Sequence, residues 1–172
     1  NKQMTSKKYY FLAGLPRAGN TLFASIFNQN PKINVTANSI VSSLMHGAVY
    51  AAKVNPNTKS IFDNFPDEKS FFNFGSNVLN NYYSDWPGEI IIDRSSWGEP
   101  FNLKLLEDFC PNKPKFICLV RPVSEILCSF LTLYKKNKNI KKLNKSNIEF
   151  TCDTLFKRGE ILDKGITSCL NL

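Results

Sequence analysis

Two stretches of this chain, Ile90–Ile92 in EIIID and Phe116–Val120 in KFICLV, are apolar at every position. A half-exposed strand alternates apolar and polar residues. One that does not alternate must be covered on both faces, which calls for a parallel sheet between layers of helix. Helical patterns fall between the strand-like runs, so the expected fold class is α/β, a three-layer α/β/α sandwich around a central parallel sheet. In such sheets, ligands sit beyond the carboxyl ends of the strands.

Four strands are expected: Tyr9–Ala13, Ile33–Val35, Glu89–Asp93 and Lys115–Val120. Leu22, Phe23, Ile26 and Phe27 recur at helical spacing, and Asn30-Pro31 stops that helix. Ile40, Val41, Leu44, Met45, Ala48, Val49 and Ala52 mark a second helix, ended by an Asn55-Pro56-Asn57 turn. A third runs over Lys69–Tyr83, with Phe71, Val78, Leu79, Tyr82 and Tyr83 inward, and a fourth over Pro100–Phe109. Pro122 stands where the first residue of the next helix belongs. Val123, Ile126, Leu127, Phe130, Leu131 and Tyr134 then continue at amphipathic spacing. From about Asn147 onward one more helix is expected. No internal repeat or boundary divides the 172 residues, so 1–172 reads as a single domain.

No apolar run approaches the roughly 20 residues of a membrane helix. Lys7 and Lys8 lead only into a short run that meets Gly14, Pro16 and Arg17, unlike a secretory signal. Five cysteines, no CxxC pair and one His argue against a zinc site or a disulfide framework. Cys118 and Cys128 read as small buried hydrophobes of a reducing compartment, so a cytoplasmic location is expected. The net charge is +8, and six of the 22 basic residues fall in Lys135–Lys145, which contains no acid. That run is a solvated helix end or loop, or a patch that attracts a polyanion. No aromatic residues are interleaved with those lysines as nucleic-acid recognition would require, so no nucleic-acid partner is expected.

After the first strand comes Gly14-Leu-Pro-Arg-Ala-Gly19-Asn20-Thr21, the frame of a phosphate-binding loop with Asn20 where the Lys should be. Glycines let backbone N–H groups approach an anion, and the following helix presents its positive end. Pro16, Arg17, Ala18, Gly19, Asn20, Thr21 and Leu22 are the candidate ligand-binding residues. In nucleotide triphosphatases the missing Lys reaches the terminal phosphates and the Thr holds magnesium. Here the cation has moved into the loop as Arg17, whose planar guanidinium can grip an oxyanion bidentately.

FLAGLPRAGNTLFASIFNQNP resembles the 5′-phosphosulfate loop of sulfotransferases. It is most similar to the branch with Pro-Arg-x-Gly-x-Thr, which includes tyrosylprotein enzymes and small bacterial and phage-type members. The resemblance implies 3′-phosphoadenosine 5′-phosphosulfate as sulfuryl donor, its desulfated form as product, no metal, and an acceptor hydroxyl on a saccharide, a peptide tyrosine or a small molecule. It also implies a second motif, an Arg at a strand end and a Ser on the next helix that together bind the donor's 3′-phosphate. FICLVRPVSEILCSF supplies Arg121 and Ser129, eight residues apart. About two helical turns, or about 10 Å of rise, separate them, a gap an Arg side chain can largely span.

Sulfuryl transfer needs a cation where charge grows on the leaving group and a base for the acceptor hydroxyl. Arg17 is the candidate cation, and Arg94 matches a further one that the resemblance implies after the third strand. The Glu that the tyrosylprotein branch uses as base corresponds here to Asn38, which cannot take a proton. His46, Asp93 and Glu99 are the substitutes, with Asp93 either the base or a group that orients Arg94. The resemblance covers roughly residues 9–135. Family members are usually longer, with a later basic segment that only Arg158-Gly159 echoes, so the family's C-terminal part is expected to be missing or reduced. Two alternatives stay open: a degenerate nucleotide-binding relative without turnover, and a magnesium-dependent kinase of the same broad fold.

Overall fold

The computed structural model describes residues 7–110, 112–136 and 148–172. Most of the lysine run 135–145, beyond the helix end at Lys136, lies outside these residues. The elements in chain order are β1 (Lys8–Gly14), α1 (Asn20–Phe27), β2 (Ile33–Val35), α2 (Val41–Lys53), α3 (Pro56–Asn64), α4 (Glu68–Tyr82), β3 (Ile90–Arg94), α5 (Pro100–Phe109), β4 (Phe116–Leu119), α6 (Val123–Lys136), α7 (Ile148–Phe156) and α8 (Ile161–Leu170).

The four strands form one all-parallel sheet in the order β2-β3-β1-β4. β1 pairs on both sides, with Phe11 opposite Asp93 of β3 and Phe116 of β4. The C-terminal ends of β3, β1 and β4 therefore lie side by side along one edge. Side chains alternate across the sheet. Phe11 and Ile91 face Val41 and Met45 of α2, Leu79 of α4, and Leu105, Leu106 and Phe109 of α5. Leu12, Ile92 and Val35 face Ala24 of α1 on the opposite side. Helices thus cover both faces, an arrangement compatible with a three-layer α/β/α fold. A further cluster of Leu15, Ile126, Phe130, Leu155 and Leu162 ties α6, α7 and α8 to the segment after β1. Burying each such side chain contributes roughly 1.5–3 kcal/mol.

Several expectations change. β4 is an edge strand, so its apolar run is only half covered: Cys118 is exposed and Val120 is 87% exposed. Cys128 is exposed on α6 as well, so neither thiol is the buried hydrophobe expected. The deeper thiol is Cys110, pushed up to about 11 by burial. Asn55-Pro56-Asn57 ends α2 but also starts α3: Asn55 caps it by accepting from the Asn57 N–H at 3.1 Å, and Pro56 takes the first helical position. The C-terminal part holds two helices rather than one. α6 begins at Val123, and the Pro122 carbonyl accepts from the N–H groups of Glu125 and Ile126. Ile40, Leu44 and Tyr82 lie on the exposed side of their segments. In α2 the buried positions are Val41, Ser42 and Met45. Among the described residues, no helix is long and apolar enough to cross a membrane.

α8 docks where the backbone after β3 comes closest. A Cβ on Gly98 would stand 1.9 Å from the Ser168 carbonyl oxygen, and the Asn171 side chain donates to the Gly98 carbonyl at 3.2 Å. Backbone on both sides leaves the clash no easy relief. Gly98→Ala should cost about 1–3 kcal/mol, as overpacking does. Thermal unfolding followed by circular dichroism should show a midpoint lower by several degrees, and an unchanged midpoint would contradict this docking.

Candidate functional site

β1 ends at Gly14, and the loop that follows is built from its own backbone. The Leu15 carbonyl accepts from the Ala18 N–H at 3.1 Å and from Asn20 Nδ2 at 3.3 Å. Arg17 has φ 68°, the one non-glycine residue with positive φ among those described. A left-handed conformation costs an ordinary residue roughly 1–2 kcal/mol and clusters at functional sites. Gly19, φ 104°, turns the chain into α1 and provides no side-chain cap. The first N–H groups of α1 thus have no acceptor within the helix.

Asn20 does not offer its side chain to a ligand, as the sequence suggested. It is buried, its Nδ2 spent on the loop and its Oδ1 without a partner among the described residues. The amide braces the loop from within, and no side chain at this position extends outward as the usual Lys would. Ala18 is likewise packed inward, against the Leu15 and Ile126 cluster. Thr21 and Leu22 are exposed.

The two motifs, more than 100 residues apart, meet. Arg17 Nε donates to Ser129 Oγ at 3.0 Å. Arg121 Nη1 donates to the Arg17 carbonyl at 3.0 Å, and Arg121 Nε to Glu125 Oε2 at 2.9 Å. Arg17, Arg121 and Ser129 line one open cavity of about 520 Å³, with Ser124, Thr132 and Lys136 further along α6. Three cations face one carboxylate there, Glu125, and that one is already paired with Arg121. Like charges that share one cleft repel, and an anion between them would offset that repulsion.

A second cavity of about 360 Å³ lies against the other flank of the loop, at Gly14 and Pro16. Arg94 enters it from the end of β3. Its N–H donates to Thr36 Oγ1 at 2.7 Å, and its Nη1 to the Ala37 carbonyl at 2.5 Å. Partial burial lowers its pKa from the ordinary value, but a guanidinium remains a cation in a protein. Asn38, Ser95 and Glu99 share this cavity, and α8 closes it with Lys164 and Ser168. Sequence reading missed Lys164 altogether, because it sits alone on a helix whose packing only the fold reveals. Arg158 lines neither cavity.

Asp93 and His46 stand apart from both cavities. Asp93 projects to the opposite face of β3 from Arg94 and is fully buried. Its carboxylate accepts from Trp97 Nε1 at 2.7 Å and from the Tyr83 hydroxyl. It therefore neither orients Arg94, whose guanidinium is held by Ala37, nor reaches an acceptor. Burial pushes the Asp93 carboxyl above the usual range, its hydrogen bonds opposing only in part, and burial together with this carboxylate pushes the Tyr83 phenol up. His46 is exposed on α2, its ring edge-on to Phe101 with centroids 4.6 Å apart. Among the described residues, no three of His, Cys, Asp and Glu converge as a metal-binding group. The chain matches no model of a known protein family and no curated protein.

The Asp93 environment sets a pH dependence. A carboxyl whose folded pKa is raised stabilises below its unfolded pKa, and that contribution is lost as pH rises toward the folded pKa. Relative to Asp93→Asn, the wild-type chain should therefore lose stability as pH climbs above about 4. Urea unfolding of both proteins across the acidic range measures the difference, and a wild type that gains relative to the variant would refute it.

Proposed function

We propose that this chain binds 3′-phosphoadenosine 5′-phosphosulfate and transfers its sulfuryl group to an acceptor hydroxyl, using a phosphate-binding loop in a three-layer α/β/α domain. One observation carries the proposal. Arg17 of the loop and Ser129 of α6 are in direct hydrogen bond at 3.0 Å, with Arg121 on the Arg17 carbonyl, so both anion motifs open on one cleft. About 520 Å³ is within the ordinary range of small-molecule sites. A site with three cations and the hydroxyls of Ser124, Ser129 and Thr132 suits a ligand with phosphate groups at both ends of a nucleoside.

The donor supplies an activated sulfuryl group. The chain's residues position and neutralise. The N–H groups of Asn20, Thr21 and Leu22 at the start of α1, together with Arg17, would hold the 5′ end, and Arg121 and Ser129 the 3′-phosphate. Arg17, strained toward the cleft, is the cation for charge that grows on the leaving oxygen. Arg94, across the loop, is the second. A kinase reading finds less support, since Asn20 turns its side chain into the loop and no Lys follows Gly19. The exposed free thiols of Cys118 and Cys128 fit a reducing, cytoplasmic setting.

Calorimetry with 3′-phosphoadenosine 5′-phosphate tests this reading. The wild type should bind it and should bind adenosine 5′-phosphate, which lacks the 3′-phosphate, more weakly. Arg121→Ala should weaken the bisphosphate by about 10- to 100-fold, the worth of a charge-assisted hydrogen bond. It should leave adenosine 5′-phosphate nearly unaffected. No binding of the bisphosphate by the wild type, or an equal loss for both nucleotides, would overturn the proposal.

A further inference from the structure

Resting on the sulfuryl-transfer reading, we infer that the 360 Å³ cavity is the acceptor site, that it takes a polyhydroxylated acceptor bearing a carboxylate, and that Glu99 accepts the hydroxyl proton while Lys164 holds the acceptor's anionic group.

The cavity touches the phosphate-binding loop at Gly14 and Pro16, one residue from Arg17, so an acceptor there lies beside the group to be transferred. Its walls mix short polar groups with the aliphatic Leu12, Ala13, Pro16 and Ile161. Ser95, Ser96, Ser168 and Asn38 bring hydroxyls and an amide, and no aromatic side chain lines it. A phenol needs an apolar or aromatic surface to bury its ring, whereas a polyol needs many short donors and acceptors.

Glu99 is the one carboxylate lining this cavity. It makes no ion pair among the described residues, in contrast to Glu125, which Arg121 engages in the other cavity. Its backbone is fixed: the Glu99 N–H donates to the Ser96 carbonyl at 3.1 Å, and its own carbonyl accepts from the Leu103 N–H at 3.0 Å. Its side chain makes no capping bond to α5. A carboxylate that lines the cavity and makes no ion pair among the described residues is the group there that can serve as general base. Asp93 is buried and spoken for, and His46 lies elsewhere.

Lys164 reaches the cavity from α8 and is also without an ion pair among the described residues. The contact of Gly98 with Ser168 and the bond from Asn171 to the Gly98 carbonyl lock α8 to the turn that carries Glu99. The backbone segments that carry Glu99 and Lys164 therefore meet at one packed junction. Arg94 is committed to the transferring group, which leaves Lys164 for a charge on the acceptor itself. In the step, the acceptor oxygen forms a bond to sulfur as the bond from sulfur to the donor's phosphate oxygen breaks. That oxygen leaves with the electron pair as 3′-phosphoadenosine 5′-phosphate. The hydroxyl proton passes to Glu99 and then to solvent.

The test uses the full chain saturated with 3′-phosphoadenosine 5′-phosphate, with methyl β-D-glucuronide, methyl β-D-glucoside and N-acetyltyrosine amide as probes. In amide NMR titrations the glucuronide should shift Ser95, Ser96, Gly165 and Ser168, bind at least about tenfold more tightly than the glucoside, and leave the tyrosine derivative behind. Lys164→Met should erase the preference for glucuronide over glucoside with nucleotide affinity unchanged. With the sulfated donor, Glu99→Gln should lower kcat by about 10²- to 10⁴-fold with little change in KM. A glucoside bound as well as the glucuronide, a preferred phenol, no shift at those amides, or full kcat in Glu99→Gln would each overturn this inference. Nucleotide affinity is read separately. Its absence would strike down the donor reading, whereas binding of nucleotide without these acceptor effects strikes down the acceptor inference alone.

Discussion

The pairing of β1 on both of its edges is the constraint from which the site follows. Because β3 and β4 flank it in parallel, three strands end on the same edge of the sheet. Each end releases a polar segment there: the loop after Gly14, the Arg94–Gly98 turn, and the junction at Arg121. Hydrogen bonds between strands and the packing of Phe11, Leu12, Ile91 and Ile92 hold the ends in register. Arg17 is thereby held within hydrogen-bond reach of Ser129, and Arg121 within reach of the Arg17 carbonyl, each across more than a hundred positions of sequence.

The loop turns that convergence into a surface that carries Arg17 and Arg121 side by side. Its conformation rests on three devices: the Leu15 carbonyl that accepts twice, the buried Asn20 amide, and the left-handed Arg17 and Gly19. Backbone bent in this way starts α1 without a side-chain cap and carries the Arg17 side chain across to Ser129. Arg121 then braces the Arg17 carbonyl.

The loop separates two cavities of different character. The larger is cationic, and its one acid is already matched. The smaller is lined by serines, Asn38 and aliphatic side chains, with Glu99 and Lys164 in no ion pair among the described residues. α8 decides the second one. Its approach at Gly98 is so close that only a residue without a side chain fits, and Lys164 and Ser168 arrive at the cavity with it.

The strands, α1, α5 and the amphipathic α6 were all legible from apolar runs, helical spacing and proline or glycine punctuation, because these are local effects of burial and backbone geometry. The spacing of Gly14 to Thr21 and of Arg121 to Ser129 was legible too, since each lies within one strand-to-helix junction. The start of α3 at Asn55-Pro56 was hidden because the same residues that stop one helix can begin another. The edge position of β4 was hidden because an apolar run does not say how many neighbours its strand will have, and so Cys118 and Val120 appeared buried. Asp93 looked reactive for its place at a strand end, yet its side-chain direction, set by the pleat, sent it under Tyr83 and Trp97. Local chemistry in the chain thus determined the elements and the two strand-to-helix motifs, whereas strand order, side-chain direction and the docking of α8 decided which charges share a cavity, because those depend on contacts between residues a hundred positions apart.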